Sequence, residues 1–274
     1  MRRPQGAVQR LEDSVDFGLQ GRTALVLGAG GGLGSAIARS LAGEGANVAL
    51  ADIDADALAR TEAALGGGAQ SMSLPWDVSD LTVTNARIGA IEARFGGVDI
   101  LVNNTGGPPP TPAAGQDPAL WAKHFQAMVL SVIAITDRVL PGMRRKGWGR
   151  IITSTSSGVV VPIPNLAISN ALRLSLVGWS KSLAREVAAD GITANIVFPG
   201  RIATARISFL DEQKAKRENR PLAEVQRESC ESIPMGRYGD PQEYGDTVAF
   251  LASTRASYIT GSTIRVDGGY VGSI

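Results

Sequence analysis

A single cysteine, Cys230, and a single histidine, His124, are all the chain holds of two residue types that carry much of protein chemistry. One thiol allows no intrachain disulfide, which suits a reducing compartment, and a cytoplasmic location is expected. One imidazole excludes multi-histidine metal sites, so no metal is expected. His124 falls in the helical pattern Leu120-Trp121-Ala122-Lys123-His124-Phe125 and reads as a packing or surface residue. Neither sign of charge is in excess. Lys and Arg number 27 against 26 Asp and Glu, a net charge of +1, so no global field draws the chain to nucleic acid or to an anionic membrane. The basic cluster Arg144-Arg145-Lys146, with Arg150, lies where a helix should end and reads as solvated cations complementing the helix dipole. No apolar run approaches the length of a membrane span. Residues 1–20 mix arginines with Glu12, Asp13 and Asp16 and lack the apolar centre of a signal peptide, so they read as a poorly ordered extension. No internal repeat is visible.

What the chain has in quantity is glycine, and its densest run punctuates the first apolar segment. Thr23 to Leu27 breaks into Gly28-Ala29-Gly30-Gly31-Gly32-Leu33-Gly34, after which Ser35 to Ala42 resume with helical spacing of apolar residues. The pattern is strand, turn and helix. Glycines at 28, 32 and 34 lack a Cβ and tolerate positive φ, so the turn can close on a bound diphosphate. The N–H groups and positive dipole end of the following helix would face its charge. A Gly-rich turn alone can be only a turn, and the spacing G-x-x-x-G-x-G departs from the commoner dinucleotide fingerprint. The second half of the signal is Ala46 to Asp54, a buried-strand pattern delivering Asp52 and Ile53 where an acid meets the adenosine ribose. Asp52 would accept hydrogen bonds from both ribose hydroxyls and repel a 2′-phosphate, so NAD is the expected cofactor, ahead of NADP. Asp52 and Asp54 are alternatively caps for the helix beginning near Ala55, a role that suits Asp54 and leaves Asp52 free.

Further along, a short helix from Asp56 to Leu65 ends at Gly66-Gly67-Gly68. A strand over Gln70–Trp76 delivers Asp77 and Val78, suited to an adenine amino group and ring face; Asp77 or Ser79 is alternatively the cap of the helix Leu81–Phe95. The strand Val98–Val102 runs into Asn103-Asn104-Thr105-Gly106-Gly107 and then Pro108-Pro109-Pro110, where the chain must leave the sheet. In an open parallel sheet a ligand lies at that edge. A helix from Pro118 to Arg145, interrupted only by Pro141, precedes the strand Arg150–Ser154 and the hydroxyl-rich Thr155-Ser156-Ser157. A helix from about Leu166 to Ala189 and a strand to Phe198 follow, stopped by Pro199-Gly200. The charged segment 206–231 holds two helical pieces split by Pro221 and is either a mobile lid or a solvated appendage. A helix Asp240–Ser253 and a strand from Thr263 complete the pattern. Strand and helix alternate throughout, which predicts one α/β domain over residues 21–274, a parallel sheet with helices on both faces.

Together these motifs resemble the classical short-chain dehydrogenase/reductase family over nearly the whole chain after Gln20. The resemblance rests on the glycine turn, Asp52, Asp77-Val78, Asn103 to Gly106, Pro199-Gly200 with Thr204, Tyr258 to Gly261 and Val266-Asp267-Gly268-Gly269. Gly106 to Pro110 and Pro164-Asn165-Leu166 make it similar to the 3-oxoacyl-carrier-protein reductases. The resemblance implies a Rossmann-type three-layer sandwich with a seven-stranded parallel sheet and a homo-oligomer, tetramer or dimer. It puts the cofactor against the glycine turn, Asn104, Thr105 and Gly106, and its nicotinamide near Pro199, Gly200, Ile202 and Thr204.

Where the family has Thr, this chain has Leu27, forfeiting a hydroxyl that would brace the turn. The deeper departures are catalytic. Members use Asn, Ser, Tyr and Lys; here the Asn position falls on Met128, the Tyr position on Ser169 and the Lys position on Arg173, and only Ser156 matches. The four tyrosines, Tyr238, Tyr244, Tyr258 and Tyr270, are remote from that position in sequence. The implied activity is an NAD(H)-dependent oxidoreductase of an alcohol/ketone pair. Ser156 would position the substrate oxygen, Arg173 would hold a ribose hydroxyl and stabilise the developing alkoxide, and Ser169 or a water would pass the proton. An arginine will not give up a proton to a relay. The competing expectation is a catalytically silent NAD-binding sensor or partner subunit. A small-molecule substrate would lie between Pro108–Pro112, Val159–Asn165 and the 206–231 segment.

Overall fold

The computed structural model describes residues 16–66 and 70–274. Its first half runs β1 (Thr23–Leu27), α1 (Gly32–Gly43), β2 (Asn47–Asp52), α2 (Ala55–Ala63), β3 (Ser71–Pro75), α3 (Thr84–Phe95), β4 (Ile100–Asn103) and α4 (Pro118–Phe125). Its second half runs α5 (Ser131–Lys146), β5 (Gly149–Ser154), α6 (Ala167–Val187), β6 (Ile192–Pro199), α7 (Ala205–Glu218), α8 (Leu222–Glu231), α9 (Pro241–Ala252) and β7 (Thr263–Val266).

Alternation along the strands sets the layers. In β1, Ala24 and Val26 point to one face and Leu25 and Leu27 to the other, all buried. The first face packs on α1, α2 and α9 through Ile37, Leu41, Leu58, Tyr244, Val248 and Leu251. The second packs on α3, α5 and α6 through Ile88, Ile91, Ile135, Val139, Met143, Leu183 and Val187. All strands are parallel, in the order β3-β2-β1-β4-β5-β6-β7. This is the seven-stranded Rossmann-type sandwich. The order reverses between β1 and β4, so the loops leaving those neighbours flank a crevice at the C-terminal edge.

Several local expectations need correction. The expected extension over residues 1–20 ends earlier, because Leu19 is fully buried in the first face, Phe17 meets Phe250 edge-on at 6.3 Å, and the Phe17 carbonyl accepts from the Thr254 N–H. Residues 1–15 and the Gly67-Gly68 part of the expected helix stop lie outside the described residues. The helical stretch from Pro118 is broken at a π-turn, Gln126–Leu130, and not at Pro141. Pro141 sits on the exposed side of α5, away from the sheet. By length and hydropathy alone Pro118–Lys146 would qualify to cross a membrane, against the reading of the apolar runs. Its buried residues, however, recur at Val132, Ile135, Val139 and Met143, the one-sided spacing of a helix lying on a sheet. Asp54 caps α2, accepting from the Ala57 N–H at 2.9 Å. Ahead of α3 neither Asp77 nor Ser79 is the cap; Asp80 caps the short turn Leu81–Val83, and Asp77 binds Ser79.

Candidate active site

The loops leaving the strands enclose a cavity of about 630 Å³ at the C-terminal edge of the sheet. Every expected cofactor residue except Gly30 lines it, as do Met128, Ser156, Ser169 and Arg173.

The glycine turn divides its labour. Gly28 has φ +63°, and a Cβ there would collide with the Asn104 carbonyl. A Cβ on Gly30 would stand 2.7 Å from the Ala57 side chain, one on Gly32 would stand 2.8 Å from the Thr204 methyl, and one on Gly34 would run into the Gly28 carbonyl. Those glycines exist for protein packing, which is why Gly30 faces away from the cavity. Gly31 is the exception. A Cβ there would meet only the Gly28 oxygen, at 3.4 Å, so this is where the backbone lies open to a ligand. No side chain caps α1, and Gly32, Leu33 and Gly34 of its first turn line the cavity, leaving unpaired N–H groups at a positive dipole end. That arrangement fits a dinucleotide diphosphate. The bracing hydroxyl that Leu27 lacks is replaced by the Asn104 carboxamide, which donates to the Leu27 and Gly28 carbonyls at 3.2 and 3.4 Å.

At one end of the cavity stand Asp52, Ile53, Trp76, Asp77 and Val78. Asp52 does more than the sequence reading expected. Its Oδ2 accepts the Gly30 N–H at 3.0 Å and its Oδ1 the Asp54 N–H at 3.1 Å, tying the end of β2 to the glycine turn. Ionised, each oxygen retains a further lone pair for a ribose hydroxyl. Trp76 was not anticipated; it is buried, its indole Nε1 is without a partner among the described residues, and it lies on the wall.

At the other end, Ser156 caps a short turn, its Oγ accepting the Gly158 N–H at 3.1 Å, so its own O–H is left to donate into the cavity. Ser169 opens α6 and makes no side-chain hydrogen bond among the described residues. Met128 comes from the π-turn and lines the cavity. One turn after Ser169, the Arg173 guanidinium donates to the carbonyls of Ser154 (3.1 Å), Thr105 (3.0 Å) and Gly106 (3.3 Å). This cradle stitches α6 to the ends of β4 and β5 and leaves two of five N–H groups uncommitted. Burial, with a smaller push from Arg206, lowers its pKa to about 10, so it stays cationic at neutral pH.

Two further wall residues, His124 and Tyr270, escaped the sequence reading, and a third, Arg206, comes from the 206–231 segment expected there. His124 reaches the cavity, its pKa held below the usual imidazole value by burial and then by Lys123. Tyr270 arrives through the Gly268-Gly269 turn, where both glycines have positive φ and Asp267 accepts from the Gly269 and Val271 N–H groups. Arg206, from the first turn of α7, donates to the Pro108 carbonyl at 2.8 Å. The segment 206–231 roofs the cavity through Arg206, Ile207 and Leu210 of α7. It is anchored by the fully buried Asp211, bound to Arg201 at 2.7 Å and to the Tyr238 hydroxyl at 2.6 Å.

Tyr244 does not line the cavity. It lies beneath the cavity floor, fully buried, its hydroxyl 2.7 Å from the Ser154 Oγ, and burial raises its pKa. Tyr244→Phe should cost about 1–3 kcal/mol of stability, since the hydroxyl bonds the Ser154 Oγ and donates to the Val197 carbonyl at 3.3 Å. The pH profile of any turnover should be unchanged; a shifted profile would assign the phenol a proton-transfer role.

A family model described as enoyl-(acyl carrier protein) reductase matches residues 28–271. Nodulation protein G of Azospirillum brasilense is 36% identical over 255 residues, covering 90% of this chain and 97% of that protein. The 3-oxoacyl-(acyl-carrier-protein) reductase of Vibrio cholerae is 39% identical over 254 residues, covering 92% and 98%. Among solved structures, L-sorbose reductase from Gluconobacter frateurii, complexed with NADPH and L-sorbose, aligns with a TM-score of 0.89 at 30% identity, over 95% of this chain and 100% of that one.

Proposed function

Since the chain belongs to the classical short-chain dehydrogenase/reductase family, similar within it to the 3-oxoacyl-carrier-protein reductases, we propose that it is an NAD(H)-dependent oxidoreductase of an alcohol/ketone pair with an atypical proton-transfer site. One observation carries the reading. A single cavity joins Asp52 at one end to Ser156, Ser169 and Arg173 at the other, past the uncapped start of α1.

Asp52 and Ile53 would hold the adenosine ribose, Asp77 and Val78 the adenine, the α1 N-terminus the diphosphate, and Pro199 to Thr204 the nicotinamide. Bound there, a nicotinamide supplies or accepts the hydride. Ser156 donates to the substrate oxygen, its orientation fixed by the Gly158 N–H. Arg173 contributes fixed positive charge as that oxygen becomes an alkoxide, a larger effect in a desolvated site than in water. Ser169 or a water passes the proton. General acid–base catalysis contributes about 10²- to 10⁴-fold, whereas holding the reactants together is worth roughly 7 to 11 kcal/mol, so loss of the phenol slows turnover without erasing it. The exposed Phe125, Leu130 and Leu174 on the α4 to α6 surface support a homo-oligomer.

The test is titration with NADH and NADPH, followed by cofactor oxidation against a panel of ketones, aldehydes and oxoacyl thioesters. NADH should bind more tightly than NADPH. Asp52→Asn keeps an acceptor for the Gly30 N–H and should weaken NADH by about tenfold or more, the scale of a hydrogen bond to a charged group. It should strengthen NADPH by removing the repulsion of its 2′-phosphate. Unchanged preference would put the ribose elsewhere. Tight NADH binding with no oxidation by any carbonyl compound would favour the silent binding protein.

A further inference from the structure

Two guanidinium groups meet beside the β4 loop with no acid to offset them. A Cβ on Gly107 would stand 3.4 Å from Nη2 of Arg206 and 3.8 Å from Nη2 of Arg173. The hydrogen bonds they make there go to neutral carbonyls, Thr105 and Gly106 for Arg173 and Pro108 for Arg206. Among the described residues neither arginine forms an ion pair. Arg201, the third arginine of the wall, differs, because the buried Asp211 neutralises it at 2.7 Å. Among the described residues the wall carboxylates are Asp52, at the end of β2, and Asp77, just beyond β3. Like charges brought together out of water raise the free energy of the protein, and burial lowers the pKa of both arginines. An arriving anion removes that penalty. Arg206 lies on the substrate side of the cavity, gripping Pro108 four residues beyond the Asn104 that touches the glycine turn.

We propose that the substrate carries a carboxylate, bound by Arg206 with the field of Arg173 behind it, so that the reacting pair is an oxo acid and a hydroxy acid. The inference rests on the oxidoreductase reading above and adds the substrate class to it. The guanidinium fork matches a carboxylate in shape as well as charge, while Ile163, Leu166, Ile207 and Leu210 give the carbon chain apolar walls. In the reducing direction, with NADH as reductant, the carbonyl carbon gains a hydride and its oxygen a proton, and the carboxylate is unchanged.

Calorimetry, with and without NAD present, on short- and medium-chain 2-oxo and 3-oxo acids, each against its methyl ester, tests the assignment without requiring turnover. At least one acid should bind about tenfold or more tightly than its ester. Arg206→Gln, which keeps a donor for the Pro108 carbonyl, should weaken that acid by about 10- to 100-fold and leave the ester unchanged. Esters bound as well as acids throughout the panel, or acid affinity untouched in the variant, would overturn it. So would a variant that loses NADH affinity while keeping the acid-to-ester ratio, since the anion would then be the cofactor diphosphate. Acid binding that depends on Arg206 without any NADH oxidation would sustain the carboxylate site and remove only the oxidoreductase reading.

Discussion

Ser169→Tyr should raise the rate of carbonyl reduction by about 10²-fold, the lower end of what general acid–base catalysis contributes. The serine already lines the cavity at the start of α6, and the larger side chain would extend into open space. Arg173 lies four residues on, over the same face of the helix, and its charge would draw the phenol down from its ordinary value near 10 toward the working range. Because three carbonyls grip Arg173, the cation would hold its position when the phenol arrives. The gain stays at the low end because an arginine does not relay a proton as a lysine does. Steady-state NADH oxidation across pH measures it, and the variant should show an ionisation below pH 10 that the parent lacks. An unaltered rate and profile, with NADH binding intact, would mean that the proton reaches the substrate oxygen from another direction.

The second large effect separates binding from folding inside the glycine turn. Gly31→Val should reduce NADH affinity by about 100-fold, about 2.7 kcal/mol, while changing thermal stability little. Position 31 has φ −79°, ordinary for any residue, and nothing but a ligand would occupy the space its side chain takes. Gly34→Ala should instead cost stability. Its methyl would run into the Gly28 carbonyl and the Ala29 backbone, an overpacking cost of about 1–3 kcal/mol, or roughly 2–10 °C in Tm. Differential scanning fluorimetry beside a fluorescence titration distinguishes the two outcomes. If Gly31→Val bound NADH as the parent does, the diphosphate would not lie against the glycine turn.

What was readable in the sequence was local. Strands appeared as short apolar runs, their ends as Gly and Pro, and the adenosine half of the site as a glycine turn followed by an acid closing the next strand. Asp54 could be assigned as a cap because capping involves neighbours in sequence. The residues that escaped are those whose role is conferred by partners far along the chain. Tyr270 reaches the cavity from the turn after β7, far along the chain from Ser156, and the π-turn around Met128 carries no composition that marks it.

Amino-acid order alone therefore determined the α/β alternation, the parallel sheet and the glycine turn, since each depends on side-chain periodicity or on the presence of a particular residue. Tertiary structure decided which glycine faces a ligand, that Asn104 braces the turn, that Arg173 sits in a cradle of carbonyls, and that Arg206 joins it without a counter-charge. Those properties depend on distances between loops that the sheet alone brings together, and neither burial nor an unpaired charge exists until the chain has closed around it.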